Sequence, residues 1–370
     1  MSEAMAAVER AVRFGIKINK NEEDSNKRVT YLYDAAGMIP AVMDFVEGTF
    51  NYGSWGNVEF VKNNYPCMVK FDGTEDYRLN PDNYELKEDG AKSDITDIYY
   101  AGNAMSAFKG GWLCQYETAT DEYIIWSNVK YDAAYNAYHR TGKDGTLNAG
   151  FYRHIYTPSL VENVARSLSG CQTSGDMTAE QENEACKANG DKWGMSSWWE
   201  WNYIICLLKI MAKTEDLQEA YGNGNMSGYV NDSTKYYGVL ASGSMDDKGQ
   251  FYGYNAGNKQ IKVFHTEAMW GDQWERKLAN YIEDKIINED YSPDAIIGEL
   301  TAEGRWGEFQ TRICTTTVYS YIDKGIFLKV TNKDLPVKKN KKRKYNKVKK
   351  QKRAEAGESI ENRPEAINNR

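Results

Sequence analysis

The chain has 370 residues, with 46 Lys and Arg against 53 Asp and Glu and a net charge of −7. No apolar run reaches the roughly 18 residues of a membrane-spanning helix, and Met1-Ser2-Glu3-Ala4 lacks the basic-then-apolar pattern of a secretory leader, so neither a spanning helix nor Sec export is expected. Aromatics at 13%, including 27 Tyr, with 31 Gly and only 7 Pro, favour an α+β body with many tight turns over a helical bundle.

The charge is unevenly placed. Residues 338–370 hold 13 basic and 4 acidic side chains, net +9, which leaves −16 on residues 1–337. An acidic body argues against the folded part gripping nucleic acid.

In chain order, Val12 to Ile18 and Arg28 to Tyr33 read as strands, followed by one helix near Ile39 to Phe45. Cys67 to Phe71 alternates and ends at the Asp72-Gly73 turn, and Asn80-Pro81-Asp82-Asn83 is a second turn signal. Trp112 to Tyr116 and Tyr123 to Ser127 are further strands, so residues 1–140 are expected to form a β-rich N-terminal domain. Gly142-Lys143-Asp144-Gly145 is a hinge candidate, and Phe151 to Tyr156 opens a second domain over 141–336. Its best helix is Ser197 to Lys213. Ser197 and Glu200 have capping-box spacing, and Trp201, Ile204, Ile205, Leu208 and Met211 share a face. A second helix is expected from about Trp274 to Ile287, and Thr315 to Tyr321 reads as β-like. Beyond Pro336, Lys338 to Arg353 carries eleven cations and little that could be buried, so 337–370 is expected to be a disordered basic tail.

Six of the ten tryptophans, Trp193, Trp198, Trp199, Trp201, Trp270 and Trp274, fall between Gly190 and Glu275 around the loop Tyr221 to Asn225. Such density means an aromatic core or a recognition surface, and a core with satisfied indole N–H groups is the favoured reading.

The chemistry-bearing residues form no recognisable machinery. His139, His154 and His265 have no nucleophile motif beside them, and Gly222-Asn223-Gly224 and Gly253 to Gly257 are turn glycines without a strand-to-helix unit. Asp44, Asp72, Asp76, Asp246 and Asp247 read as surface-turn residues, and Asp246-Asp247 with Asn223 and Asn225 as turn formers before calcium ligands. No cysteine pair has metal-site spacing. Cys206 reads as a small buried hydrophobe, while Cys171 and Cys186 are able to pair in an oxidising compartment. The residues predict no catalytic centre, metal or cofactor.

Several segments in order carry a resemblance: Ser167 to Gly170, Trp193-Gly194-Met195, Trp198-Trp199-Glu200-Trp201, Leu217 to Gly224, and Phe264-His265-Thr266-Glu267-Ala268-Met269-Trp270-Gly271-Asp272-Gln273-Trp274. Together they resemble the C-terminal domain of virion proteins of gut bacteriophages, described as structural, tail-fibre or head-fibre proteins. That domain is similar to the C-type-lectin-like fold shared with formylglycine-generating enzymes. The first half, with Val12 to Lys17, Val29 to Asp34, Gly53-Ser54-Trp55 and Lys70 to Gly73, resembles the N-terminal part of the same proteins. Those enzymes use reactive cysteines late in the domain. Cys314 has no neighbour of that kind, so the activity is not carried over.

The resemblance implies a non-enzymatic virion protein, made in the host cytoplasm, that assembles with other virion proteins and with itself and attaches to a host surface glycan or protein. The loops expected to present contacts are 173–189, 222–235 and 242–258, with Tyr229, Tyr236, Tyr237, Tyr252, Tyr254 and Trp270 as candidate ligand contacts. The alternative is a capsid or tail assembly component with no receptor role. Its tail, through Lys338, Lys339, Lys341, Lys342, Arg343 and Lys344, would then contact DNA or a neighbouring acidic subunit.

Overall fold

The computed structural model describes residues 10–142, 144–174, 177, 179–225, 240–255, 259–271, 277–302, 314–323, 327 and 330–336. The expected basic tail therefore lies outside the described residues. No described helix is long and apolar enough to cross a membrane.

The chain opens with strand β1 (Arg13–Asn19), the helical turn α1 (Ser25–Arg28) and β2 (Val29–Tyr33). A short hairpin, β3 (Val42–Asp44) and β4 (Thr49–Asn51), precedes the helical turn α2 (Glu59–Lys62). Six further strands follow: β5 (Tyr65–Lys70), β6 (Glu75–Asn80), β7 (Asn83–Lys87), β8 (Gly102–Lys109), β9 (Trp112–Glu117) and β10 (Asp121–Ser127). They form two antiparallel sheets, one ordered β2-β1-β10-β9 and one built from β8, β5, β6 and β7 with β11 (Gly150–His154) added beside β8.

Alternation explains the first sheet. Phe14, Ile16 and Ile18 of β1 turn inward opposite Trp126, Ile124 and Glu122 of β10, while Arg13 and Lys17 face out. β8 is buried at seven of its eight positions, and it is a central strand.

After β11 come β12 (Ser159–Val161), β13 (Val164–Arg166), α3 (Ala179–Lys187), α4 (Trp198–Ala212) and α5 (Leu217–Tyr221). Then follow β14 (Lys262–Val263), β15 (Thr266–Glu267), α6 (Lys277–Asn288), α7 (Pro293–Ala302) and α8 (Thr315–Asp323). The architecture is α+β with a β-rich first part.

Helix α4 begins where the capping signal places it. Ser197 Oγ accepts from Glu200 N–H at 3.2 Å, and Glu200 Oε2 accepts from Ser197 N–H at 2.8 Å. Beyond the expected face, Tyr203, Leu207 and Ile210 are also buried, because α4 packs on β1 and β10 and on α6 as well. Its C-terminal carbonyls are met inside the core. Tyr31 Oη and the Ala41 N–H both donate to Met211 O at 2.9 Å, and Lys213 caps the helix in the left-handed region at φ 54°. Trp126 Nε1 donates to Tyr203 Oη at 2.8 Å, and that ring stacks on His139 at 3.7 Å. A side chain at Gly111 would meet Tyr203 Oη at 2.2 Å, so only glycine fits there.

Three expectations change. The segment near Ile39 to Phe45 is the β3–β4 hairpin rather than a helix: Val42 and Asp44 are exposed around buried Met43, and Asp44 Oδ1 accepts from Val46 and Glu47 N–H to form the turn. Residues 315–321 are helical, because Val318 and Ile322, four apart, bury against α7 and override the β-branched run. The expected loop 173–189 contains α3. The hinge candidate is a tight turn closed by Gly142 N–H to Thr146 O at 2.8 Å, β11 beyond it joins β8, and one apolar cluster runs from Ile16 to Leu335. The six cysteines are free thiols, Cys171 and Cys186 included, and Cys206 is buried.

Burial holds His139 neutral and pushes its pKa down to about 3, with Arg140 adding to the effect. The unfolded chain takes up this proton near pH 6.5 and the folded one only near pH 3. The stability this group contributes is therefore complete above pH 6.5 and is lost as pH falls toward 3. Between pH 7 and 5 the wild-type protein should lose about 2 kcal/mol through His139, and the loss should be absent in His139→Gln, as read from urea unfolding at the two pH values.

Candidate ligand-binding surface

The turn between β14 and β15 sets the geometry of the site. Phe264, His265 and Ala268 all adopt positive φ (48°, 63° and 52°), a costly arrangement for residues with a Cβ. It is held because the side chains around it lock into a buried polar cluster. Glu267 Oε2 accepts from Gly243 N–H at 2.9 Å and Oε1 from Met245 N–H at 3.3 Å. Lys262 Nζ donates to Met245 O and lies 4.2 Å from the centre of the Tyr84 ring. Asp246 accepts from Ser169 Oγ at 2.5 Å and from Tyr156 Oη. Tyr84 Oη lies 2.5 Å from His265 Nδ1 and 3.2 Å from Gly249 O.

Burial is the main influence on each ionisable group here. It raises Glu267 to about 7 and lowers Lys262 to about 8, each partly opposed by the other's charge. It also raises Asp246 and holds His265 neutral. These side chains fix the backbone of residues 243–249. Asp246 is thus no surface-turn residue, while Asp247 is exposed and pairs with Lys248 at 3.3 Å. No group of three or more His, Cys, Asp or Glu among the described residues is arranged to hold a metal ion.

On this brace the chain displays its aromatic loop residues. Tyr252 pairs with Lys262 through two backbone hydrogen bonds, 2.9 and 2.7 Å. Buried Phe251 and Gly253 alternate with half-buried Gln250, Tyr252 and Tyr254, so those three share a side. The Tyr252 and Tyr254 rings are 5.1 Å apart and nearly perpendicular, with Lys248 5.6 Å from the first and Lys259 5.9 Å from the second. Glycine lets the neighbouring loop close in: a Cβ at Gly253 would lie 1.8 Å from Tyr221 O. Asn223 N–H then donates to Tyr254 O at 3.1 Å, and Trp270 Nε1 donates to Gly222 O at 3.0 Å.

The structure therefore brings together Tyr252, Tyr254 and Trp270 of the expected contacts. Trp270 is half-buried with its N–H committed to the loop. Tyr229, Tyr236 and Tyr237 lie outside the described residues, as do Lys338, Lys339, Lys341, Lys342, Arg343 and Lys344. Of the indoles read as core, Trp198 and Trp201 are buried in α4, and Trp193 donates to Phe71 O at 2.8 Å. Sequence reasoning missed Tyr52, Asp82 and Gln250, which border a cleft beside this surface. Each is an ordinary loop residue, and no spacing links them.

No family model matches this chain, and no curated protein or solved structure matches it.

Truncating Lys262 would leave Glu267 and Asp246 buried without their cation. Lys262→Ala should cost roughly 3–5 kcal/mol in chemical denaturation, whereas Lys259→Ala, at an exposed position, should stay within about 0.5 kcal/mol.

Proposed function

We propose that this chain is a non-enzymatic bacteriophage virion protein, a fibre or decoration component of tail or head, that attaches the particle to a glycan on the host surface. Its later part is read as C-type-lectin-like. This rests on the ordered segments from Ser167 to Trp274 that resemble gut-phage fibre proteins, with an α+β architecture compatible with them.

The observation that carries the binding role is the pair Tyr252 and Tyr254, half-exposed and side by side between Lys248 and Lys259 on a braced frame. Aromatic rings give contact area at low entropy cost and pack on the C–H faces of sugars, while neighbouring amines donate to hydroxyls. The non-enzymatic reading is supported by where the perturbed groups lie. Lys262, Glu267 and Asp246 bind loop backbone and hydroxyls away from the neighbouring cleft, and His265, which lies beneath it, is held neutral with Nδ1 against Tyr84 Oη.

A second reading, an assembly component without a receptor role, draws on the β3–β4 hairpin. Ile39, Val42 and Val46 are exposed there, Val46 at 92%. Apolar side chains at an exposed hairpin suit a contact with another virion subunit or a second copy of the chain. The +9 segment 338–370 suits DNA or the −16 body of a neighbour.

Particles carrying Tyr252→Ala with Tyr254→Ala should assemble in normal yield and adsorb to host cells about tenfold more weakly or worse. Adsorption at the wild-type rate would favour the assembly reading.

A further inference from the structure

A cleft of about 240 Å³ opens next to the Tyr252–Tyr254 pair, between Tyr52, Lys62, Pro81, Asp82 and Gln250, with Asn64 and His265 beneath. Residues from five separate stretches of chain converge there. Its floor is fixed before any ligand arrives. Tyr52 Oη donates to Gln250 Oε1 at 3.1 Å, and Gln250 Nε2 donates to Val61 O and Asn64 Oδ1 at 3.0 and 2.9 Å. Asn64 Nδ2 in turn donates to Ser106 Oγ and Ala107 O, both at 2.9 Å, and Ser106 Oγ donates to Phe264 O at 2.7 Å. The network ties the cleft to the strained turn at Phe264 and His265. A floor of this kind loses little freedom on binding.

The rim differs from the floor. The Asp82 carboxylate and the Lys62 ammonium are exposed, and neither has a hydrogen-bond or ion-pair partner among the described residues. Gly56, also at the edge, adds no side chain. Tyr52 and Pro81 supply apolar surface, and the Tyr52 hydroxyl, already donating to Gln250, keeps a lone pair for a ligand donor.

We infer that this cleft is a subsite for one uncharged hexose ring of the glycan, contiguous with the Tyr252–Tyr254 pair. The inference rests on the glycan-binding reading above. A sugar hydroxyl both donates and accepts, so one ring serves carboxylate, ammonium and amide together. A uronic acid would gain from Lys62 and be repelled by Asp82, and an amino sugar would meet the reverse, so the balanced rim favours a neutral ring. The volume lies below the roughly 300–1,000 Å³ of sites for drug-sized ligands, which suits a single ring. Gln250 of the cleft and Tyr252 of the pair lie two residues apart on the same side, about 7 Å along an extended chain, so an oligosaccharide reaches both.

The test is saturation-transfer NMR and titration of the full chain with methyl glucoside, methyl mannoside and methyl galactoside, alongside glucuronate and glucosamine. At least one neutral methyl hexoside should receive saturation. Its affinity should fall about tenfold in Asp82→Ala and in Lys62→Ala, and stay unchanged in Tyr252→Ala/Tyr254→Ala, which has an intact cleft. Transfer to no neutral hexoside, tighter binding of a charged sugar, or affinity unchanged in both rim variants would each overturn the inference. If neutral hexosides fail while adsorption still depends on Tyr252 and Tyr254, the cleft assignment falls and the attachment reading stands. If hexoside binding needs Asp82 while adsorption ignores the tyrosines, the cleft assignment stands and the attachment reading falls.

Discussion

Everything in this fold leans on one helix that has no face to solvent. Helix α4 is apolar around nearly its whole circumference, so its peptide groups cannot use water and each end must be satisfied by the protein. Ser197 and Glu200 do this at the start, and Tyr31, Ala41 and Lys213 at the finish. Of these, Tyr31 comes from the first sheet and Ala41 from the segment before the β3–β4 hairpin. Meeting the demands of one helix therefore draws the N-terminal strands and the later segments into a common core.

The crowding of tryptophan and tyrosine around this helix follows from the same constraint. An aromatic ring fills a large volume, and its polar edge can terminate a backbone or side-chain group in a dry interior. Tyr221 Oη donates to Leu208 O at 3.0 Å and Trp126 Nε1 to Tyr203 Oη, so the rings serve as packing and as hydrogen-bond partners at once. The tryptophan-rich stretch is in large part scaffold. The half-exposed tyrosines between its segments are what the scaffold presents.

What was legible in the sequence was local. The capping pair Ser197 and Glu200, the alternation in β1 and β10 and the apolar spacing of α4 are written within single segments, and each element forms where that pattern places it. Two misreadings came from signals that a neighbour overrides. Thr315 to Val318 has strand-like branching, yet Val318 and Ile322 share the face that α7 covers. Asp44 bends its own turn and makes a hairpin where a helix was expected. The buried cluster was illegible for another reason: Lys262, Glu267, Asp246 and His265 are residue types that normally face water. Their burial depends on Tyr84, Tyr156 and Ser169, which are distant in sequence. The cleft is harder still, since its residues run from Tyr52 to His265 with nothing in sequence to join them.

A fully buried helix fixes the core, a buried ion cluster fixes the 243–249 backbone upon it, and that backbone holds two tyrosines beside a polar cleft. Such rigidity suits the attachment surface proposed above. The most direct measurement is a cryo-electron microscopy reconstruction of the phage particle proposed to carry this chain. Under the proposed attachment role, its density lies on the exterior, with the Tyr252–Tyr254 side turned outward and uncovered. Absence of the chain from the particle, or that side sealed against a neighbouring subunit, would contradict it.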